Sequence, residues 1–352
     1  MKILYHIPSL HSIYAHRTIF NGYKNAFIDL GHEFKTLTAD DDMQEVMSVY
    51  KPDVFITSSF FWHRRYIDYQ KLKSFRKEGV FVLTKIDFWK SPLSSTRINE
   101  APSLCGDKKI MYLLEADLLG DAFLHVVEQE DERMHGFKES TGRTFHTIPL
   151  ACDATLIKTL SINPRFYSDL AFIGTNLPEK REYFLNNILP LKEYLDLKLY
   201  GQDWTRYQQI LGWIQRLGQF LNIPLLRSIQ KPKLSFDDER AIYQSAKISF
   251  NVHEDYQRIY GGDCNERTFK IPGYGGFQIC DNVACVAKYF ELDKEIVIAN
   301  NASEWREKVM YYLNDDEARL KIIEAGRQRV LRDHTYHHRV NQMLHIVNEN
   351  SK

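Results

Sequence analysis

The chain has 352 residues, of which 44% are hydrophobic and 26% charged, and Lys plus Arg balance Asp plus Glu at 46 each. That length exceeds what one hydrophobic core usually serves, so two domains are expected. The zero net charge excludes a bulk attraction to nucleic acid or to an anionic membrane, and any anion the protein binds must be held locally. The apolar part of MKILYHIPSL is too short for a secretory signal, and no apolar run approaches the roughly 18 to 20 residues of a membrane span. Five cysteines, Cys105, Cys152, Cys264, Cys280 and Cys285, lack any CxxC pair, which fits reduced thiols. A soluble cytoplasmic protein is the expectation.

Short apolar runs alternate with helical stretches, the pattern of strands buried on both faces of a parallel sheet. In the first half they fall at residues 3–7, 34–37, 54–56, 80–83, 123–127 and 145–148. Between the first two, Phe20, Tyr23, Lys24 and Phe27 keep helical spacing and end at Gly31, a glycine where a helix C-cap is expected. Residues 151–168, with no clear period, read as a connection. A second series follows at 170–173, 197–200, 248–252, 277–280 and 296–298, with helices over 180–189 and 238–246. Residues 206–228 are helical or irregular, and helices close the chain. The fold class is therefore α/β, with two doubly wound, Rossmann-like domains at 1–150 and 169–330 and a helical ending at 331–352.

In open α/β sheets ligands sit beyond the carboxyl ends of the strands. Three loops of the second half occupy such places: FIGTNLPEKRE, YGQDW and NVHEDYQRIYGGDCNERTFK. Gly174, Thr175 and Asn176 turn out of one strand, Gly201 follows another, and Gly262 precedes a helix expected from about Asn265. Glycines there let backbone N–H groups approach a ligand, and helix-start donors favour an anion. A helix terminus alone contributes only about 0.3–1 kcal/mol. Charged hydrogen bonds, at about 1.5–3 kcal/mol each, would come from Arg267 and from Lys180 or Arg181. Pro272 then bends or stops the helix, and Gly273, Gly275 and Gly276 turn the chain into the next strand. The alternative is a tight connection with Glu266 and Arg267 paired at the surface.

These segments carry a resemblance. NERTFKIPGYGG resembles the N-x-R-x-F-[EK]-x-x-x-x-G-[GA] pattern of GT-B glycosyltransferases of the spore-maturation, CgeB-like group, and FIGTNLPEKREYF resembles their G-x-x-x-x-x-[KR]-R loop. The run from SEWREKVMYYL to HRVNQML is similar to their helical ending, in which the last helix crosses back to the first domain. The likeness covers about residues 165–345. It implies a GT-B fold with two domains facing a cleft, the first binding the acceptor and the second the nucleotide sugar. It further implies a bacterial, cytoplasmic transferase of glycan biosynthesis that uses a UDP-sugar, needs no metal and retains configuration. The donor would be gripped by Gly174, Thr175, Asn176, Lys180, Arg181, Gly201, Gly262, Asn265, Glu266, Arg267 and Lys270.

Lys270 stands where many such enzymes place a ribose-binding glutamate, and a lysine cannot accept those hydrogen bonds; Glu266 is a substitute carboxylate. LTKIDFW resembles a T-x-H-D segment, with Ile86 for the histidine and Asp87 retained. Asp87, His125 and His253, each at or near a strand end, are the catalytic candidates, although His125 also reads as a core histidine. Asp40, Asp41 and Asp42 read as a solvated turn, and His334, His337 and His338 as packing between domains or facing solvent rather than as metal ligands. The expected partners are a nucleotide sugar and a hydroxyl-bearing acceptor, with no nucleic acid. The acceptor would meet first-domain loops such as HSIYAHR, SFFWHRRYIDY and DFWKSPLSS. A non-catalytic binding module of a surface layer and a nucleotide-sugar epimerase are the competing readings.

Overall fold

The computed structural model describes residues 1–10, 15–90, 103–159, 161–229 and 234–350. Parts of two expected acceptor loops, residues 11–14 of HSIYAHR and 91–95 of DFWKSPLSS, lie outside the described residues, as does Leu160 of the connection.

Among the described residues eleven strands form two parallel sheets. The first contains β1 (Lys2–His6), β2 (Glu33–Leu37), β3 (Val54–Ser58), β4 (Phe81–Lys85), β5 (Ala122–His125) and β6 (His146–Thr147), in the order β2-β1-β3-β4-β5-β6. The second contains β7 (Ser168–Ile173), β8 (Leu197–Tyr200), β9 (Ala246–Asn251), β10 (Gln278–Asp281) and β11 (Val297–Ala299), in the order β11-β10-β9-β7-β8. In each sheet the first strand lies between the second and the third, so the strand order reverses there. This opens a crevice at the carboxyl end of β1 and β3 and another at that of β7 and β9.

Alternation along the strands explains the layers. Leu4, Phe55, Val82 and Phe123 enter the core on one face of the first sheet, whereas Ile3, Val54, Ile56 and Leu83 enter that on the other. Leu170, Phe172, Phe250 and Ile279 fill one face of the second sheet, and Ala171, Ile173 and Cys280 the other.

The helices that matter for the cleft are α1 (Ala15–Asp29), α2 (Pro178–Asn187), α3 (Arg206–Leu221), α4 (Pro224–Arg227), α5 (Phe236–Ser245), α6 (Arg267–Gly273) and α7 (Tyr336–Asn350). The last of these returns to the first domain. Tyr336, Val340, Met343, Ile346 and Val347 are buried in its core with Phe20, Tyr23 and Phe27 of α1, each burial worth about 1.5–3 kcal/mol. Gly22 makes the approach possible, since a Cβ there would stand 2.1 Å from the Tyr336 ring. His337 Nε2 meets Asp29 at 2.8 Å, and His334 Nε2 lies 3.1 Å from Tyr289 O. No helix among the described residues is long and apolar enough to cross a membrane.

Candidate functional site

A cleft of about 1200 Å3 lies between the two sheets. It is lined by Ser58 and Lys85 where β3 and β4 end, and by Ile173 and Gly201 where β7 and β8 end. Both switch-point crevices therefore open into one space.

On the second domain's wall Arg267 fills the crevice. Its Nε donates to Asn251 Oδ1 at 3.0 Å, one Nη to Val252 O at 3.0 Å and the other to Ile173 O at 3.4 Å. These acceptors are an amide and two strand-end carbonyls. No carboxylate among the described residues lies within ion-pair distance, so the guanidinium is oriented but its charge is not neutralised. Beside it Lys180 is buried, its Nζ 5.9 Å from the centre of the Phe172 ring, without a hydrogen bond or ion pair to a described residue. Burial, and then the nearby Arg267, draw the Lys180 ammonium down to about 8.

Two glycines close the floor between these cations. Gly201 has φ +117°, and a Cβ on it would lie 2.4 Å from Gly174 O; a Cβ on Gly174 would lie 2.9 Å from an Arg267 Nη. Thr175 and Asn176 continue the wall, and Arg181 Nε donates to Asn176 Oδ1 at 3.2 Å. The amide of Asn265, also on the wall, has both its oxygen and its nitrogen buried without a partner. Such unmet polar atoms cost free energy unless a ligand or water satisfies them.

Lys270 behaves differently. Its Nζ donates to Glu239 Oε1 at 2.6 Å and lies 3.8 Å from Glu266 Oε1, with all three side chains buried. The segment that carries a lysine at 270 thus has carboxylates on either side of it. Glu239, from α5, also lines the cleft; sequence reading missed it because it stands 31 positions before Lys270, on another helix.

The first domain's wall is less charged. Asp87 Oδ2 accepts from Ser59 Oγ at 3.0 Å. Lys85 donates to the Tyr5 hydroxyl and lies over the Tyr23 ring at 4.2 Å, and burial draws its ammonium down to about 7. Burial likewise lowers His63 and His16, so both imidazoles are neutral near neutral pH. Phe60, Trp62 and Tyr66 of SFFWHRRYIDY complete this wall. Lys85 and His16 were not singled out from the sequence; the strand-end position of Lys85, two residues before Asp87, is the signal that points to it.

Several expectations about position are corrected. His253 is fully buried and is not on the cleft wall; its Nδ1 meets Asp281 at 2.6 Å and its Nε2 meets Thr268 Oγ1 at 3.1 Å. Burial would raise the Asp281 carboxyl, but His253 and Arg258 outweigh it and hold the group below the usual range. His125 is a core histidine. Its Nδ1 accepts from Val127 N–H at 3.1 Å, the Phe88 ring packs on it at 4.6 Å, and burial, followed by Arg133, lowers it to about 3.

Gly262 serves the interface between domains. A Cβ there would strike Asp131, whose Oδ2 accepts from Arg133 at 2.8 Å, while Arg133 reaches across to Asp263 at 2.7 Å. The helix expected from Asn265 begins instead at Arg267 and has seven residues, Pro272 lying within it. The N–H groups of Thr268 and Phe269 are already bonded to the carbonyls of Asn265 and Glu266. Side chains, rather than helix-start amides, thus carry the cationic character of this wall.

Asp40, Asp41 and Asp42 have separate tasks. Asp40 pairs with Arg227 at 2.5 Å, Asp41 accepts from Thr38 at 2.7 Å, and Asp42 caps a helix at Glu45 N–H at 2.8 Å. Cys105 is exposed and the other four thiols are buried and free.

Residues 180–345 match the family model described as glycosyl transferase-like. No curated protein matches the chain. Among solved structures the chain is similar to the sucrose-phosphate synthase of Thermosynechococcus elongatus, at 11% identity and TM-score 0.62, over 99% of this chain and 98% of that one. It is similar to a glycosyltransferase from Rickettsia africae, at 13% identity and TM-score 0.64, over 100% and 98%. An alpha-glucosyltransferase solved in complex with UDP matches at 11% identity and TM-score 0.66, over 99% and 100%. The architecture along the whole chain is the GT-B fold, and its second half carries the glycosyl transferase-like match.

Proposed function

We propose that the protein is a glycosyltransferase that binds a nucleoside-diphosphate sugar on the second domain's wall and transfers the sugar to a hydroxyl presented by the first. One observation carries this reading. Two cations, Lys180 and Arg267, face the cleft at the switch point of the second sheet without an ion-paired carboxylate among the described residues, next to the Asn265 amide, which likewise has no hydrogen-bond partner among them, and the Gly174–Gly201 floor. A diphosphate supplies the missing charge and the missing acceptors, and Gly174, Thr175 and Asn176 lie along its path. The glycosyl transferase-like match and the UDP complex of a protein with the same fold support a uridine donor.

In the reaction the bond from the anomeric carbon to the phosphate oxygen breaks and its electron pair leaves with the diphosphate. Lys180 and Arg267, rather than a metal ion, stabilise that growing charge. The acceptor oxygen bonds to the anomeric carbon, with retention of configuration, and its proton passes to a base. Asp87, held by Ser59 on the opposite wall, is the first-domain group proposed to face the reacting sugar. Glu239 Oε1 is engaged by Lys270, and its other carboxylate oxygen is proposed to receive the ribose hydroxyls that a glutamate at position 270 would have met.

The test is a thermal-shift screen of nucleotide sugars, followed by product analysis of those that stabilise the protein. Release of nucleoside diphosphate with free or transferred sugar supports the proposal. A new sugar isomer shows an epimerase, and stabilisation without turnover shows a binding module.

A further inference from the structure

The hairpin of α3 and α4 is turned the opposite way from a helix that serves a core. In α3 the residues facing inward are Gln208, Gly212, Gln215 and Gly218. Gln215 Nε2 donates to Arg227 O at 2.9 Å, and a Cβ on Gly218 would stand 2.4 Å from Leu226 Cβ. Small and polar residues thus make the tertiary contact. Several large apolar residues face out, while Leu211, Ile214 and Leu217 are half-buried: Tyr207 is 69% exposed, Ile210 58%, Trp213 55% and, on α4, Leu225 78%. Ordinarily the apolar stripe of a surface helix is what packs on the core. A cluster of large apolar side chains left outside marks a contact surface.

Charge indicates what the surface contacts. Residues 204–229 include Arg206, Arg216 and Arg227 but neither Asp nor Glu, in a chain with 46 acidic residues. Arg227 is engaged with Asp40 at 2.5 Å, whereas Arg206 is exposed. Next to the hairpin, exposed Arg65 of the first domain lies over the Trp62 ring at 5.6 Å and the Phe220 ring at 5.9 Å. A second copy of this chain docking here would bring arginines against arginines. An amphipathic helix with tryptophan, tyrosine and leucine on its outer face, arginine beside them and no acid has the composition of one that lies in the headgroup region of an anionic bilayer.

We propose that the α3–α4 hairpin docks the protein on the surface of a bilayer that contains anionic lipid. Tyr207, Ile210, Trp213 and Leu225 enter the headgroup boundary, and Arg206 and Arg65 meet lipid phosphates. Sixteen residues make α3 about 24 Å long, enough to lie along the surface. The attraction is local to the hairpin and within a Debye length of about 8 Å at physiological salt, so the chain's zero net charge does not oppose it. Trp213 and Phe220 also line the cleft, so docking brings the cleft close to the bilayer. The inference does not depend on what the cleft binds.

The experiment is co-sedimentation of the full chain with phosphatidylcholine vesicles, with and without phosphatidylglycerol. The protein is expected to pellet with the anionic vesicles on the order of tenfold more than with the neutral ones, and less as salt rises. The double variant Ile210→Glu and Leu225→Glu should lose this binding while keeping its melting temperature and its UDP titration, because both side chains lie outside the core. As a second readout, brominated lipid should quench Trp213 fluorescence, and Trp213→Phe should remove that component. Failure to pellet with either vesicle overturns the proposal, as does pelleting that the double variant leaves intact. A concentration-dependent dimer in lipid-free ultracentrifugation, abolished by the double variant, assigns the face to a second copy instead.

Discussion

The two walls of the cleft differ in how they treat charge. On the first domain's side, burial drives the histidines neutral and brings Lys85 to about 7, with the Tyr5 hydroxyl and the Tyr23 ring around it. On the second domain's side Lys180, at about 8, and Arg267 make no ion pair with a described residue. The contrast is sharpest between two lysines of the same wall: Lys270 is closed by Glu239 at 2.6 Å, whereas Lys180 has no such partner among the described residues. That difference is what the proposed function rests on: the lysine closed by a carboxylate is read as structural, and the one without such a pair among the described residues is proposed to meet an external anion.

The largest expected effect tests that contrast directly. Lys270→Met would strand Glu239 and Glu266 as buried carboxylates without a cation, and should cost about 3–5 kcal/mol in urea unfolding. Lys180→Met should cost little or raise stability, since it removes a desolvated charge that no carboxylate among the described residues pairs with directly and that Glu254, Glu266 and Asp281 support only from a distance, yet it should weaken UDP binding. If both variants lose stability equally, Lys180 is a structural lysine and the difference between the two disappears.

Next in size is Arg267→Ala. One charge-assisted hydrogen bond to a diphosphate oxygen is worth about 1.5–3 kcal/mol, so UDP affinity should fall roughly 10- to 100-fold in a calorimetric titration. The bonds to Ile173 O, Val252 O and Asn251 are lost as well. The melting temperature therefore belongs beside the titration. Unchanged affinity in a folded variant would remove Arg267 from the diphosphate seat and leave the cationic wall without its centre.

Much of this contrast was legible in the sequence, and what was not has physical reasons. Apolar runs identified the eleven strands among the described residues to within two residues at either end; β1, β3, β4 and β10, buried on both faces, carry mainly apolar residues along their middles, whereas the runs over β2, β6 and β8, which are partly exposed, include polar residues. Arg267, Lys180 or Arg181, and Gly174 were legible because motif spacing places them in the loops and helix starts that follow strands. Glu239 was not, since its pairing with Lys270 arises only when α5 packs beside α6. His125 and His253 show the limit of strand-end reasoning: alternate residues at a strand end point into the core, and only packing distinguishes a cleft histidine from a satisfied one. The stripe on α3 has helical period, but periodicity says that one face is apolar and not which way it is turned.

The smallest effect expected is a pH dependence, and its sign follows from Lys180. An anion binds the protonated lysine, so UDP affinity should be flat below about pH 8 and decline above it, at most about tenfold per unit, as the bare ammonium loses its proton. Stability of the unliganded protein should move the other way. The unfolded chain keeps this proton to about 10.4 while the folded chain gives it up at about 8. Between those values the unfolded state binds more protons, and stability rises with pH. Other groups titrate in the same window, so the measurement is the difference between wild type and Lys180→Met, in which both trends should vanish. A decline in affinity that survives in Lys180→Met would belong to another cation and would erase the distinction between the lysine left bare and the lysine closed by carboxylates.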